Sequence, residues 1–238
     1  MMVLAMTAIR PPLIIVNFKA YPEALGDRAV EKARLAEDVA EEEGICIIVA
    51  PPLVDLALVA REVSIPVFAQ HVDPVEPGRR TGHIPPEAVK AAGATGVMLN
   101  HAEKRLDYLD IKIAVDRCRE VGLLSLVCCA KLRYCNMVVR LGPDMFAFEP
   151  PELIGTGRSV TSEKPESLRK AMTIAKRLRP EIIALCGAGV SCGKDVRDAI
   201  VLGAEGVLVG SIVRRDDFKA VLGEMARAAL RAWEEKGF

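Results

Sequence analysis

Leu13-Ile14-Ile15-Val16-Asn17-Phe18-Lys19-Ala20-Tyr21 decides the fold. Its first half is a short apolar run, without the polar/apolar alternation of a sheet that has one face in water. Its second half ends in Asn, Lys and Tyr and holds no GxGxxG, the turn with which an open doubly wound sheet cradles a dinucleotide. A strand buried on both faces and polar at its carboxyl end fits a closed barrel of parallel strands.

Runs of the same kind, rich in Val, Ile and Leu, recur at 45–50, 66–71, 96–100, 123–128, 145–149, 182–186 and 207–210. Helical patterns lie between most of them. Residues 28–43 place Val30, Ala33, Ala36, Val39 and Ala40 at a period near 3.6, and Gly44 ends the pattern. Segment 162–179 opens on a cap-like Ser162-Glu163-Lys164-Pro165 turn, and 111–121, 194–202 and 217–236 each stop at a glycine. Segments 53–61 and 132–141 leave room only for short helices. Eight units of about 30 residues match a βα repeat with short loops. The expected fold is α/β: a single barrel of eight parallel strands over 1–238, with no linker or composition shift to divide it.

The 238 residues carry 32 basic and 32 acidic side chains. That balance argues against a nucleic-acid partner, which requires a basic excess to displace counterions. With 51% hydrophobic residues the chain is not disordered, and its apolar excess suggests surface buried in an oligomer. Met1–Ile9 is apolar but lacks the basic front of a secretory signal. No run reaches the roughly 20 apolar residues that span a bilayer. Seven cysteines without a CxxC read as reduced, mostly buried thiols, and adjacent Cys128 and Cys129 face opposite sides of a strand. A cytoplasmic protein is the expectation.

In such a barrel the chemistry sits at the carboxyl ends of the strands. Those ends offer Asn17 and Lys19, then Asn100, His101 and Glu103, then Glu149, then Gly187-Ala188-Gly189-Val190-Ser191, then Gly210-Ser211. His101 is one of three histidines, and its ring is either an acid/base or a structural group. Glu149 leaves an apolar strand immediately before Pro150-Pro151. Desolvation there raises its proton affinity and suits a general base, with an internal salt bridge as the alternative. Lys19 has either a carboxylate partner such as Glu103 or a phosphorylated substrate. Gly189 and Gly210 let backbone approach an anion, and Ser211 adds a hydroxyl. Residues 149–157, EPPELIGTG, set two stiffening prolines before an apolar tip and a Gly-Thr-Gly exit, as a lid on hinges would be written.

NFK at 17–19, Thr81-Gly82, NHAEKR at 100–105, EPPELIGTG at 149–157, GAGVS at 187–191 and VLVGS at 207–211 occur in order, at expected strand ends. Together they make the chain resemble the triosephosphate isomerase family, from about Leu13 to Trp233, and its short archaeal branch in particular. The resemblance implies a TIM barrel that interconverts dihydroxyacetone phosphate and glyceraldehyde 3-phosphate, in glycolysis and gluconeogenesis, without metal or organic cofactor. It assigns Glu149 as base, His101 as electrophile, and Asn17 and Lys19 as the substrate-binding pair. Ile154, Gly155, Gly189, Gly210 and Ser211 match positions around the substrate phosphate, and Glu103 matches a buried acid beside the site. Thr81, in the arm 73–86, matches a residue that reaches a neighbouring subunit's site. A homo-oligomer follows, a dimer of dimers in the short archaeal forms.

Ala102, Cys186 and Pro151-Glu152 depart from the wider family, the last two where lid and loop seven meet. Segment 128–135 matches the family least and has no functional account. Two rivals stand against this reading. A barrel acting on a larger sugar phosphate needs more polar groups than Pro51-Pro52, Gln70-His71 and Cys128-Cys129 supply. A non-catalytic barrel fits poorly with intact Lys19, His101 and Glu149.

Overall fold

The computed structural model describes residues 9–237; the opening stretch read above for a secretory signal lies outside them, apart from Ile9. Strands and helices alternate as β1 Leu13–Asn17, α1 Asp27–Glu43, β2 Cys46–Ala50, α2 Leu56–Glu62, β3 Phe68–Ala69, α3 Pro86–Ala91, β4 Gly96–Leu99 and α4 Tyr108–Glu120. They continue as β5 Leu124–Cys129, α5 Cys135–Arg140, β6 Met145–Phe148, α6 Val160–Glu163, α7 Pro165–Leu178, β7 Ile183–Cys186, α8 Gly193–Val201, β8 Gly206–Val209 and α9 Phe218–Glu235. The parallel strands run in the order β2-β1-β8-β7-β6-β5-β4-β3, and a bridge from Val49 to Val67 joins the two ends. The expected eight-stranded barrel is the fold.

Closure is thin at β3, where the run 66–71 yields only Phe68–Ala69 as strand. Pro66 has no N–H to donate, and its carbonyl accepts from Val49 N at 3.1 Å. Beyond the strand a side chain takes over. The Gln70 amide donates to the carbonyls of Ala50 and Lys19, each at 2.9 Å, tying β2 to the end of β1.

Alternation along the strands divides the core in two. Leu13, Ile15, Ile48, Phe68, Met98, Leu126, Cys128, Met145, Ala147, Leu185 and Leu208 fill the barrel. Their neighbours Ile14, Val16, Ile47, Val49, Val127, Cys129, Phe146 and Phe148 face the helices. Cys128 and Cys129 therefore point to opposite sides, as expected. All seven cysteines are free thiols. No described helix is long and apolar enough to cross a membrane.

Four helices begin and end within a few residues of expectation, but segment 162–179 divides. Pro165 removes an N–H and disfavours helical backbone at Lys164, which sits at φ −139° and ψ 48°. The turn before it becomes α6, capped by the Ser159 hydroxyl, which accepts from Thr161 N at 3.3 Å.

Candidate active site

One cavity at the carboxyl ends of the strands gathers Asn17, Lys19, His101, Glu149, Ile154, Gly155, Gly189, Gly210 and Ser211. Of the strand-end candidates, Asn100, Glu103, Gly187 and Ser191 do not border it. Tyr21, Gly157, Ala188 and Val190 border it as well, and the sequence reading did not single them out for binding.

β1 delivers Asn17 and Lys19 by parity with Leu13 and Ile15. Lys19 stands in the left-handed region at φ +51°, a conformation that costs a residue with a Cβ about 1–2 kcal/mol. The Asn17 Oδ1 accepts from Lys19 N at 2.9 Å and from Gln70 Nε2 at 3.3 Å, which holds the turn. The Lys19 ammonium is largely buried and pairs with Glu103 Oε1 at 2.5 Å. Here the expectation of a buried acid fails: Glu103 is about half exposed in the protomer. It stands on the wall of a neighbouring, open cleft, shared with Asn17, Lys19 and His101.

β4 brings His101 to the cavity by breaking parity. Asn100 turns left-handed at φ +58°. Its side chain fixes that turn, donating through Nδ2 to Cys128 O at 3.0 Å and accepting through Oδ1 from Leu106 N at 3.1 Å. His101 is buried, and its Nδ1 accepts from the backbone N–H of Glu103 at 3.2 Å. A neutral imidazole that accepts at Nδ1 carries its proton on Nε2. That Nε2 lies 3.9 Å from Glu149 Oε2, so a donor and a carboxylate face one another across the cavity.

Glu149 continues the inward parity of Met145 and Ala147. It is buried, and Oε2 has no hydrogen-bond partner. Burial pushes its carboxyl above the ordinary range; His101, the Cys128 thiol and the Lys19 charge pull part of the way back. Glu149 makes no salt bridge with Lys19, which is committed to Glu103. A Cβ on Gly187 would lie 2.3 Å from Glu149 Oε1, so the glycine is the space in which the carboxylate sits. Cys128 was missed as a contact of Glu149, although its inward parity and the register Cys128 to Ala147 put it beside residue 149.

After Glu149 comes the segment expected to act as a lid. Pro150 leads into a 3-10 turn, Pro151–Leu153. Thr156 Oγ1 donates to Leu153 O at 2.9 Å and accepts from Arg158 N at 3.1 Å, between Gly155 and Gly157, both at φ +74°. The exit lies against loop seven, where Val160 N donates to Ala188 O at 3.1 Å. A Cβ on Gly189 would lie 1.9 Å from Arg158 O, so this glycine admits the lid backbone as well as bordering the cavity. Ser191 turns away, its N–H donating to Asp195 Oδ2 at 2.9 Å at the start of α8.

Residues 12–225 match the family model described as triosephosphate isomerase. The chain is 43% identical over 216 residues to the triosephosphate isomerase of Methanocaldococcus jannaschii, covering 90% of this chain and 99% of that one. It is 46% identical over 217 residues to that of Methanopyrus kandleri, covering 90% and 96%, and 46% identical over 220 residues to that of Caldivirga maquilingensis, covering 92% and 98%. The crystal structure of triosephosphate isomerase from Bartonella henselae superposes with a TM-score of 0.73 at 18% identity, covering 94% of this chain and all of that one, which shows the shared barrel. With nearly the whole barrel matched, and matched relatives at 43–46% identity that are mostly archaeal, the chain belongs to the triosephosphate isomerase family.

Proposed function

We propose that the protein interconverts dihydroxyacetone phosphate and D-glyceraldehyde 3-phosphate by proton transfer through an enediolate, with Glu149 as base, His101 as electrophile and Lys19 as the charge that offsets the anion. The observation that carries this reading is the pairing of the buried Glu149 carboxylate, whose Oε2 has no hydrogen-bond partner, with the Nε2–H of His101, 3.9 Å away in one cavity. The carboxylate takes a proton from the carbon beside the substrate carbonyl. The imidazole N–H stabilises the oxygen on which charge develops. Glu149 then returns the proton to the neighbouring carbon, completing an aldose–ketose isomerisation.

Asn17 orients Lys19. Ile154, Gly155, Gly189, Gly210 and Ser211 surround the phosphate, and Glu103 sets the Lys19 ammonium in place. Lid closure over the intermediate excludes water and discourages loss of phosphate. Formation of either triose phosphate from the other, followed in the presence of a chelator, tests the reading. Folded protein without turnover overturns it.

The same reading places the chain, as a single domain over 1–238, in the cytoplasm, serving glycolysis and gluconeogenesis. It also makes the protein a homo-oligomer. The open cleft beside the site, about 590 Å3 and bordered by Gly82, His83 and Ile84 of the arm, would receive the Thr81 arm of a second copy. Docking there would cover Glu103 and supply the burial the family expectation gave it. Val54 and Leu109, 88% and 66% exposed, are apolar surface that further contacts between dimers would bury. A light-scattering mass of four chains is the expected result, and a monomer at working concentration would contradict it.

A further inference from the structure

Segment 128–135, which the isomerase chemistry leaves unused on its outer side, holds two thiols in contact. Cys129 ends β5 and Cys135 begins α5, both facing the helices, with Sγ atoms 3.7 Å apart. Lys131 O lies 3.4 Å from the first sulfur and 3.8 Å from the second. Cys129 also borders a cavity of about 130 Å3, several times the roughly 30 Å3 share of a water molecule. Exposed Arg105 and Tyr108 stand at the rim of that cavity.

We infer that Cys129 and Cys135 form a peroxide-reactive dithiol, a modification site whose ligand class is a small hydroperoxide and whose disulfide disturbs the base Glu149. The two sulfurs are unlike, as such a pair requires. The hydrogen bond from Cys135 and the Arg105 charge hold the Cys129 thiol below its ordinary range, and the same coupling with burial pushes Cys135 up. The Cys129 thiolate attacks one oxygen of the hydroperoxide, the O–O bond breaks, and the other oxygen leaves with a proton as water or alcohol. Cys129 becomes a sulfenic acid. Cys135 sulfur then attacks Cys129 sulfur, the S–O bond breaks, and hydroxide departs with the Cys135 proton as water. Two thiols are oxidised and one peroxide is reduced. Arg105 at the cavity wall stabilises the charge that builds on the leaving oxygen.

The link to the site is short. Glu149 N donates to Cys129 O at 2.9 Å, and the thiol of the preceding residue, Cys128, favours the charged Glu149 carboxylate. A bond of about 2.05 Å between sulfurs now in van der Waals contact draws on the strand end that carries both contacts. This coupling rests on the isomerase reading; the modification itself does not.

Hydrogen peroxide is added to the full chain, the protein is unfolded in an alkylating reagent, and peptides are mapped by mass. The expected product is a Cys129–Cys135 disulfide that dithiothreitol removes. In Cys135→Ser, which starts from unchanged turnover, dimedone is expected to label Cys129. If both cysteines alkylate fully while Cys192, the least buried thiol, is oxidised, or if no thiol is oxidised, the site is overturned. The wild-type map requires no variant and no activity assay. Turnover of the oxidised wild type is expected to fall severalfold and to recover with dithiothreitol; a mapped disulfide with full turnover overturns the coupling to Glu149.

Discussion

The interior of the barrel and its mouth are built from the same eight strands under opposite rules. Inside, Leu13, Ile15, Leu126, Met145, Ala147 and Leu185 alternate along their strands and pack into one apolar cluster. A few residues on, the mouth carries all three described non-glycine residues with positive φ, Lys19, Asn100 and Ala188, and a buried carboxylate oxygen without a partner. Strain and unpaired charge at one end persist because the packed layers at the other over-determine the strands. Stability and chemistry should therefore separate under mutation.

Glu149→Gln should break the mouth alone. Removing a general base costs about 10²–10⁴-fold, and turnover should fall by at least that much while a phosphate analogue still binds. The same variant should gain stability at neutral pH. A carboxyl whose folded-state pKa is raised favours the fold below its unfolded value, about 4.3, and that contribution is lost as pH rises through the raised value. Gln carries no charge to bury, so its advantage should appear near pH 7 and vanish below about pH 4 in thermal melts. Near-normal turnover would show that Glu149 is not the base.

Gly187→Ala comes next. Its Cβ would meet Glu149 Oε1 at 2.3 Å, so the carboxylate must swing and kcat should fall by tens of fold or more. Turnover within a factor of two of wild type would mean the carboxylate has another place to sit. The interior counterpart is Leu185→Ala, beneath the site and fully buried. It should cost about 2–5 kcal/mol, read by denaturant unfolding, with kcat nearly unchanged in the folded fraction.

A pH profile sharpens the same contrast. The acid limb of kcat/KM should lie above the ordinary Glu range, because burial raises Glu149. Cys128→Ala removes a thiol that favours the carboxylate, so the limb should move further up. A downward move would show that the thiol does not stabilise the charged form.

How much of this was legible follows the same division. Strand positions, helix faces and the inward series 145, 147, 149 come from a period of two, which the sequence displays directly. The meeting of Lys19, His101, Glu149 and the two glycine-rich ends follows from barrel topology once eight units are counted. What remained hidden depends on geometry without a sequence period. The Gln70 side chain replaces a strand that Pro66 shortens. Gly187 makes room for a carboxylate rather than a phosphate. Pro165 divides a helix whose apolar pattern runs straight through it. Glu103 is exposed because an open cleft adjoins it, and no local pattern reports a cleft.

The smallest expected effect measures the strain itself. Ala188 and Ala147 are both buried, at the mouth and in the interior. Ala→Gly at either one loses a methyl, about 0.8 kcal/mol, and loosens the unfolded chain by about 0.4–1 kcal/mol. Ala147, in a strand, has nothing to gain and should lose about 1–2 kcal/mol in all. Ala188, at φ +74°, recovers the roughly 1–2 kcal/mol that a Cβ costs in the left-handed region, and its variant should unfold within about 1 kcal/mol of wild type. The difference between the two variants, read from urea midpoints, is the cost of turning the chain at loop seven. Equal losses at both positions would mean that the mouth bears no such strain, and that the packed interior has none to hold in place.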